Sequence, residues 1–497
     1  MPSEHFDVLI IGAGLSGIDA AWHLQKNNSK KSYVILENRD RIGGTWDLFR
    51  YPGIRSDSDM LTMGYGFRPW THPSTISPGD AIRDYVTDTA KDAGIDKHIR
   101  FRHKVVSAAW DTATARWTVE VEGGSGERLT LTTNFLFSCA GYYKYDEGYT
   151  PAFPGRKNFK GTIIHPQHWP ETLDYANKRV IVIGSGATAM TLVPAMAKTA
   201  AHVTMLQRSP TYVVSRPEQD ALANTLRKIL PASWAYAIPR WKNILIGMYF
   251  YNLTRKKPAR VKEAILKGVR DQLGPDYDVA KHFTPTYNPW DQRLCLVPDA
   301  DLFKAINQGR AEIVTDHIDT FTANGIKLKS GQELEADIIV TATGLQLEAL
   351  GGTTVTVDGE PIDFGKTFTY KGLMYSGVPN LASIFGYTNA SWTLRADLIC
   401  DYVCRLLNTM DQKGVQIATP RLRDATLKPE PWLDFSSGYV QRAIATLPKQ
   451  GPKAPWRQNQ NYFADIKDMR RAPIEDGVLE FARAGAVTKP TLAHAAE

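Results

Sequence analysis

Cysteine is scarce: four in 497 residues (Cys139, Cys295, Cys400, Cys404), with no CxxC pair among them. That excludes a disulfide framework, a zinc ribbon and a dithiol redox centre of the disulfide-reductase type. Long apolar runs are missing too. The longest, Ile244 to Tyr251, falls far short of the roughly 20 residues that span a bilayer. The N-terminal stretch MPSEHFDVLIIGAGLSG has no basic region ahead of its apolar residues, and glycine breaks them early, so no secretory signal is expected. Reduced thiols in the cytoplasm are the expected setting. Apolar residues at 43% and charged residues at 22% exclude a mostly disordered chain.

Acid is almost absent from one segment. Residues 227–270 hold eleven Lys or Arg and a single acid, Glu263, a local balance of +10 inside a total of +7. The remainder of the chain is therefore slightly acidic. Because the positive charge belongs to one segment and not to the whole surface, and a nucleic-acid reading also needs an aromatic platform or recognition helix beside it, nucleic acid is not an expected partner. Three readings stay open: a solvated helical face, attraction of an anionic cofactor, and contact with a membrane surface.

Glycine is placed where chemistry needs it. Asp7–Ile11 reads as a buried strand, Gly12-Ala-Gly14-Leu-Ser-Gly17 as a turn, Ile18–Leu24 as a helix, and Tyr33–Leu36 as a strand ending in Glu37. Gly12 permits the tight turn, Gly14 lets backbone approach a pyrophosphate, and Gly17 lets helix pack on strand. Phosphates then sit at a helix N-terminus, and Glu37 accepts from a ribose 2′-hydroxyl. The pattern recurs 172 residues on, with a strand at Lys178–Ile183, a Gly184-Ser185-Gly186-Ala187-Thr188-Ala189 turn, a helix from Met190 to Ala197 and a strand at His202–Leu206. This copy ends in Arg208 where the first ends in Glu37. A carboxylate repels a 2′-phosphate and a guanidinium grips it, so FAD is expected in the first fold and NADPH in the second. Gly43-Gly44-Thr45-Trp46 offers another close backbone approach. Phe135–Gly141 and Ile338–Gly344 read as strands that carry the chain from one fold to the other.

Between the two glycine motifs, Phe159-Lys-Gly161-Thr-Ile-Ile-His165-Pro-Gln-His-Trp169-Pro170 fits FxGxxxHxxxWP. On this fingerprint the chain resembles the Baeyer–Villiger monooxygenases. Residues 43–60, 163–170, 287–298 and 386–398 are similar to the ethionamide-activating branch, and the resemblance covers essentially the whole chain. The N-terminal extension that some members carry is not expected here, and the basic helical insertion is the least transferable part.

The resemblance implies an α/β fold: two Rossmann-like dinucleotide-binding domains with a helical insertion. The FAD domain would take 1–147 and 346–497, the NADPH domain 148–213 and 291–345, and the insertion 214–290. It implies FAD contacts at Ser16, Glu37, Thr45, Trp46, Asp47, Leu48, Asp57 and Val105. Arg55, Ser56 and Asp57 would approach the nicotinamide half of NADP. Gly184 through Met190, with Arg208 and Ser209, would hold its phosphates. Arg293 matches the catalytic arginine, steadied by Asp57, and His165 reads as a hinge residue. No metal is implied. The implied reaction inserts one atom of O2 beside a ketone carbonyl through a C4a-peroxide of the flavin, giving an ester or lactone. Hydrophobic ketones, thioethers and thioamides are the implied substrates. Two other readings stay open: an S- or N-oxygenating flavin monooxygenase, and a non-catalytic FAD/NADPH-binding scaffold. Asn389-Ala-Ser391-Trp392 precedes a helix expected over Thr393 to Leu407, its N-terminus aimed at the flavin. Cys400 and Cys404, one turn apart on it, read as packing. Residues 450–497 should wrap back over the surface and end in a loose tail.

Overall fold

The computed structural model describes residues 4–292, 294–433 and 435–485. Two sheets organise them. The first is nine-stranded. Its parallel part places Glu4–Ile11 between Arg128–Ser138 and Tyr33–Glu37, and the antiparallel strands His103–Asp111 and Arg116–Gly123 extend it. Leu381–Ser383 returns from far along the chain to pair with Arg128–Ser138. The second sheet is wholly parallel, in the order Ala311–Thr315, His202–Gln207, Arg179–Ile183, Ile338–Thr341, Thr162–Ile164. Its strands are buried runs of Val and Ile, as sheets covered on both faces require. The expected α/β class with two parallel dinucleotide-binding folds is the one found.

Each sheet turns at its glycine motif in the same way. Gly12 N–H donates to Leu36 O at 2.8 Å, and Gly184 N–H donates to Leu206 O at 2.9 Å. Both glycines need positive φ, +98° and +138°. A Cβ at Gly17 would lie 1.9 Å from Gly12 O, and one at Gly184 would lie 2.3 Å from Ala342 O. No other residue permits that closeness.

Helix limits differ from the sequence reading. The first helix is Leu15–Asn27 and the second Ala187–Met196, each starting three residues earlier than expected. The small residues after each second glycine are already helical, because a helix N-terminus must stand against the turn. The long helix runs Trp392–Lys413, and Gly414 at φ 62° ends it. Beyond Leu407 only Met410 continues the apolar face, and the other residues up to Lys413 are polar. Cys400 and Cys404 are buried in its packing. The insertion is helical, over Ala221–Ile229, Ala232–Lys256, Pro258–Leu273 and Val279–Phe283. The C-terminal segment packs back through Leu479–Ala482, antiparallel to Ile417–Pro420, and the expected loose tail falls on 486–497, outside the described residues.

Helices Leu15–Asn27 and Trp392–Lys413 are joined by a buried ionic knot. His23 Nε2 meets Asp397 Oδ1 at 2.9 Å, and Nδ1 meets Asp401 Oδ1 at 3.0 Å. Arg470 spans both aspartates. Burial opposes a charged His23, but the carboxylates win and hold its pKa up to about 10. Asp397 and Asp401 are held below the usual carboxylate value by His23 and Arg470 against the effect of burial. Asp19, fully buried 3.6 Å from His23, is pushed well up by desolvation.

The imidazolium of His23 stabilises the fold fully below its unfolded value of 6.5, and that contribution fades as pH rises towards about 10. The aspartates work above 3.8 and fail as pH falls through their lowered folded values. Thermal melts of the native chain should therefore fall between pH 6.5 and 10, and His23→Gln should flatten that slope. His23→Gln should also cost about 3 kcal/mol at pH 6, because it leaves Asp397 and Asp401 under-compensated. Parallel melting curves of the two proteins across this range would contradict the assignment.

Candidate active site

Both glycine turns open into one cavity of about 1060 Å³. Pockets for a single small molecule run to roughly 1000 Å³ at most. At one end it is walled by Gly12, Gly14, Ser16, Glu37, Gly44, Thr45, Trp46 and Val105, and at the other by Gly184, Ser185, Gly186, Ala187, Thr188, Arg208 and Ser209. Arg55, Ser56 and Asp57 line the space between. These eighteen expected site residues are thus brought together on one surface.

Five are not on that surface. Gly17 packs helix on strand, as the turn requires. Ala189 and Met190 point into the core behind the second turn. Leu48 is buried in the same core. Asp47 is wholly buried, its carboxylate taken by Arg39 at 2.6 Å and by Arg50 at 2.5 Å, so it braces the Gly43-Gly44 turn from behind instead of facing a cofactor. Arg293 lies outside the described residues.

Three helices of ten or more residues meet this cavity by their N-termini. Leu15–Asn27 starts at Gly14 and Ala187–Met196 at Gly186, where glycine offers no side chain for a cap. Trp392–Lys413 starts at Ser391, whose hydroxyl is engaged with Thr62 Oγ1 at 2.6 Å and makes no cap bond. Elsewhere in the chain Asp220, Asp278 and Asn461 do cap their helices. The bare N–H groups and the positive dipole ends suit anions. Trp392 Nε1–H donates to Ser16 Oγ at 2.8 Å, which ties the first helix to the third.

The two ends differ in charge as the sequence suggests. Glu37 is only 5% exposed. Its Oε2 accepts from Ala13 N–H at 2.7 Å and its Oε1 from Arg39 N–H at 2.8 Å. Burial raises its pKa and these donors oppose the rise. Each carboxylate oxygen keeps a further acceptor site for a hydroxyl on the cavity side. Arg208 stands exposed at the strand end beside Ser209, whose carbonyl accepts from Ser185 Oγ at 3.0 Å. Arg55 is paired with Asp301 at 2.5 Å. A Cβ at Gly186 would meet nothing within 4 Å, so the space over that turn is open to a ligand. The residues present fit a dinucleotide at each end.

The fingerprint stretch joins the linkers that run between the sheets. His165 Nε2 is hydrogen-bonded with Gly344 O at 3.2 Å, and its Nδ1 accepts from Gln167 N–H at 3.2 Å. Gln167 Nε2 donates to the carbonyls of Lys144 and Tyr145 at 2.8 and 2.9 Å. Burial lowers the His165 pKa. A neutral ring bonded to backbone on both sides is placed to hold two linkers together. Sequence reasoning passed over the cavity's aromatic wall, Tyr142, Tyr149 and Tyr439, with Arg442 stacked 3.4 Å over the Tyr149 ring. No short motif marks these residues, since they come from separate loops.

Gly186→Ala should leave melting temperature nearly unchanged, because the new methyl points into open space. It should weaken nucleotide binding at the second turn by about tenfold or more, one decade being about 1.4 kcal/mol. Titration calorimetry checks this, and equal binding by variant and parent would rule out the cradle.

A profile of the flavin-binding monooxygenase-like family matches residues 6–266. The FAD-containing monooxygenase EthA of Mycobacterium tuberculosis is 56% identical over 482 residues, covering 97% of this chain and 98% of that protein. EthA of Mycolicibacterium smegmatis is 53% identical over the same length and shares. Among solved structures, an oxidized steroid monooxygenase bound to NADP superposes with a TM-score of 0.76 at 22% identity, over 96% of this chain and 100% of that one. At that identity the likeness speaks for the fold. The family match over half the chain, the EthA identity along nearly all of it and the paired glycine turns agree: the chain belongs to the flavin-binding monooxygenase-like family.

Proposed function

We propose that the protein is an FAD-dependent, NADPH-consuming monooxygenase of the Baeyer–Villiger type, working in the cytoplasm. One oxygen atom of O2 enters the bond beside a ketone carbonyl, the other leaves as water, and NADPH supplies the two electrons. Thioethers and thioamides are further substrates, oxidised at sulfur. One observation carries the reading: two dinucleotide cradles, one ending in Glu37 and one in Arg208, open into a single cavity. FAD takes segments 1–147 and 346–497, NADPH takes 148–213 and 291–345, and 214–290 is inserted between them.

FAD, once reduced by NADPH, supplies the activation of O2. The chain does the rest. The N–H groups at Gly14 and Gly186 receive the pyrophosphates, Glu37 receives a ribose hydroxyl, and Arg208 grips the 2′-phosphate that distinguishes NADPH from NADH. The N-terminus of Trp392–Lys413 favours negative charge on the flavin side of the cavity. The walls contributed by Tyr142, Tyr439 and Trp392 fit a hydrophobic substrate and limit water. Arg293 is assigned the fixed cation that stabilises negative charge on the carbonyl oxygen, with Asp57 as its anchor. A guanidinium stays charged at any working pH and presents several donors.

Arg208→Ala should cut the NADPH-over-NADH preference in kcat/KM by about 10- to 100-fold, the worth of one or two charge-assisted hydrogen bonds. Flavin content should not change. A variant that keeps the full preference removes Arg208 from the 2′-phosphate site.

Arg293→Ala should lower the rate of ester formation by about 10²–10³, as loss of an oxyanion-stabilising donor does. NADPH consumption should continue, with H2O2 released instead of product. Product, peroxide and NADPH are measured together under air. Ester formation above about a tenth of the parental rate would overturn the role of Arg293.

A further inference from the structure

The insertion helix Ala232–Lys256 carries two opposed faces. On one, Tyr236, Pro239, Arg240 and Ile244 are buried. Arg240 donates to the carbonyls of Leu61 and Gly64, both at 2.7 Å, and so fastens the helix to the segment before the cavity wall at Met63. On the other face Trp234, Ile238, Trp241, Leu245 and Tyr249 recur every three or four residues and form one apolar stripe about 22 Å long. Trp234 is 65% exposed and Tyr249 69%.

Among the described residues, that stripe and its surroundings hold most of the large exposed apolar side chains. Of ten large exposed apolar side chains among the described residues, eight lie within 222–249. Leu222 and Ile229 extend the stripe along the preceding helix, and Phe463 stacks against Trp241 with ring centroids 6.3 Å apart. Isolated exposed apolar residues need no explanation, but one continuous patch does.

The charge around the patch says what covers it. Lys228 stands exposed near one end of the stripe, and Lys256, Lys257 and Arg260 stand exposed at the other. The only acid in 227–270, Glu263, is already bonded to Arg270. Asp220, which begins the preceding helix, is paired with Lys242 at 2.5 Å. A second copy packed symmetrically through this same face would set its own Lys228, Lys256, Lys257 and Arg260 against these cations. Trp and Tyr in an apolar stripe, with Lys and Arg at its ends, match the boundary between acyl chains and anionic headgroups. No described helix is long and apolar enough to cross a membrane, so the helix lies in the plane of the surface.

We propose that the helix Ala232–Lys256 docks the enzyme on an anionic lipid bilayer, with its Trp234–Tyr249 stripe in the interface and the basic residues at its ends on the headgroups. The inference rests on the insertion alone and does not depend on the flavin reaction.

The test is flotation of the purified full chain with vesicles of phosphatidylcholine containing a quarter phosphatidylglycerol, and with phosphatidylcholine alone. Binding is expected to the first, with a steep loss at high salt. Trp241→Ser with Leu245→Asp should weaken it at least about tenfold through lost apolar burial. Lys256→Gln, Lys257→Gln and Arg260→Gln together should weaken it by up to about a hundredfold and flatten the salt dependence, at about one decade per 1.4 kcal/mol. Both variants change exposed residues, and NADPH turnover in solution should match the parent. Absence of binding to the anionic vesicles, or equal binding by parent and stripe variant, would overturn the proposal. So would a concentration-dependent dimer on gel filtration that the stripe variant abolishes, because a second copy would then own the face.

Discussion

Backbone N–H groups can hold a phosphate only where no side chain stands between them and the ligand, and the parallel strands of both sheets are arranged around that constraint. In the first, helix, turn and strand close to a separation at which a Cβ on Gly17 would lie 1.9 Å from Gly12 O. In the second, a Cβ on Gly184 would lie 2.3 Å from Ala342 O, while Gly186 faces open space. The turns hold the helices against the strand ends, and each N-terminus is left without a capping side chain. Everything downstream follows from two such ends looking into one cavity.

That they share a cavity is the work of the linkers. The sheets are separate hydrogen-bonded units, and the chain crosses between them near 144–149 and 343–346. There it is cross-tied: Tyr149 N–H donates to Gly344 O at 3.0 Å, Lys144 N–H to Gln346 O at 2.9 Å, and Thr343 Oγ1 to Tyr149 O at 2.6 Å. His165 and Gln167 reach the same strands from the fingerprint stretch. These backbone bonds and His165 act together with the core that Leu48, Phe49 and Tyr51 share with the second fold, and with the Arg55–Asp301 pair, in setting the relation between two nucleotide folds.

The glycine turns were readable in the sequence because the geometry at Gly12, Gly17 and Gly184 admits no other residue, and the terminal Glu37 and Arg208 were readable because charge decides which ribose fits. Helix limits were less legible. Alanine, serine and threonine after a glycine serve equally in a turn or a first helical turn, and only tertiary contact separates the two. The Asp47 carboxylate was not legible for a related reason: position beside a glycine pair implies closeness to a ligand, and only the fold shows two arginines binding that carboxylate from behind. The His23 knot joins residues 374 apart, and the aromatic wall draws on loops near 142, 149 and 439. Neither has a local period to read. The basic segment showed its charge in the sequence, while the side on which its apolar residues lie was settled only by what the opposite face packs against.

The central claim is that both nucleotides occupy one cavity close enough to react directly. Anaerobic stopped-flow reduction with NADPH carrying deuterium at either face of C4 tests it without reference to substrate or oxygen. Bleaching of the flavin at a rate that saturates with NADPH, slowed by deuterium on one face only, is the predicted result. Reduction insensitive to deuterium on both faces, or bleaching that proceeds only with an added electron carrier, would contradict it.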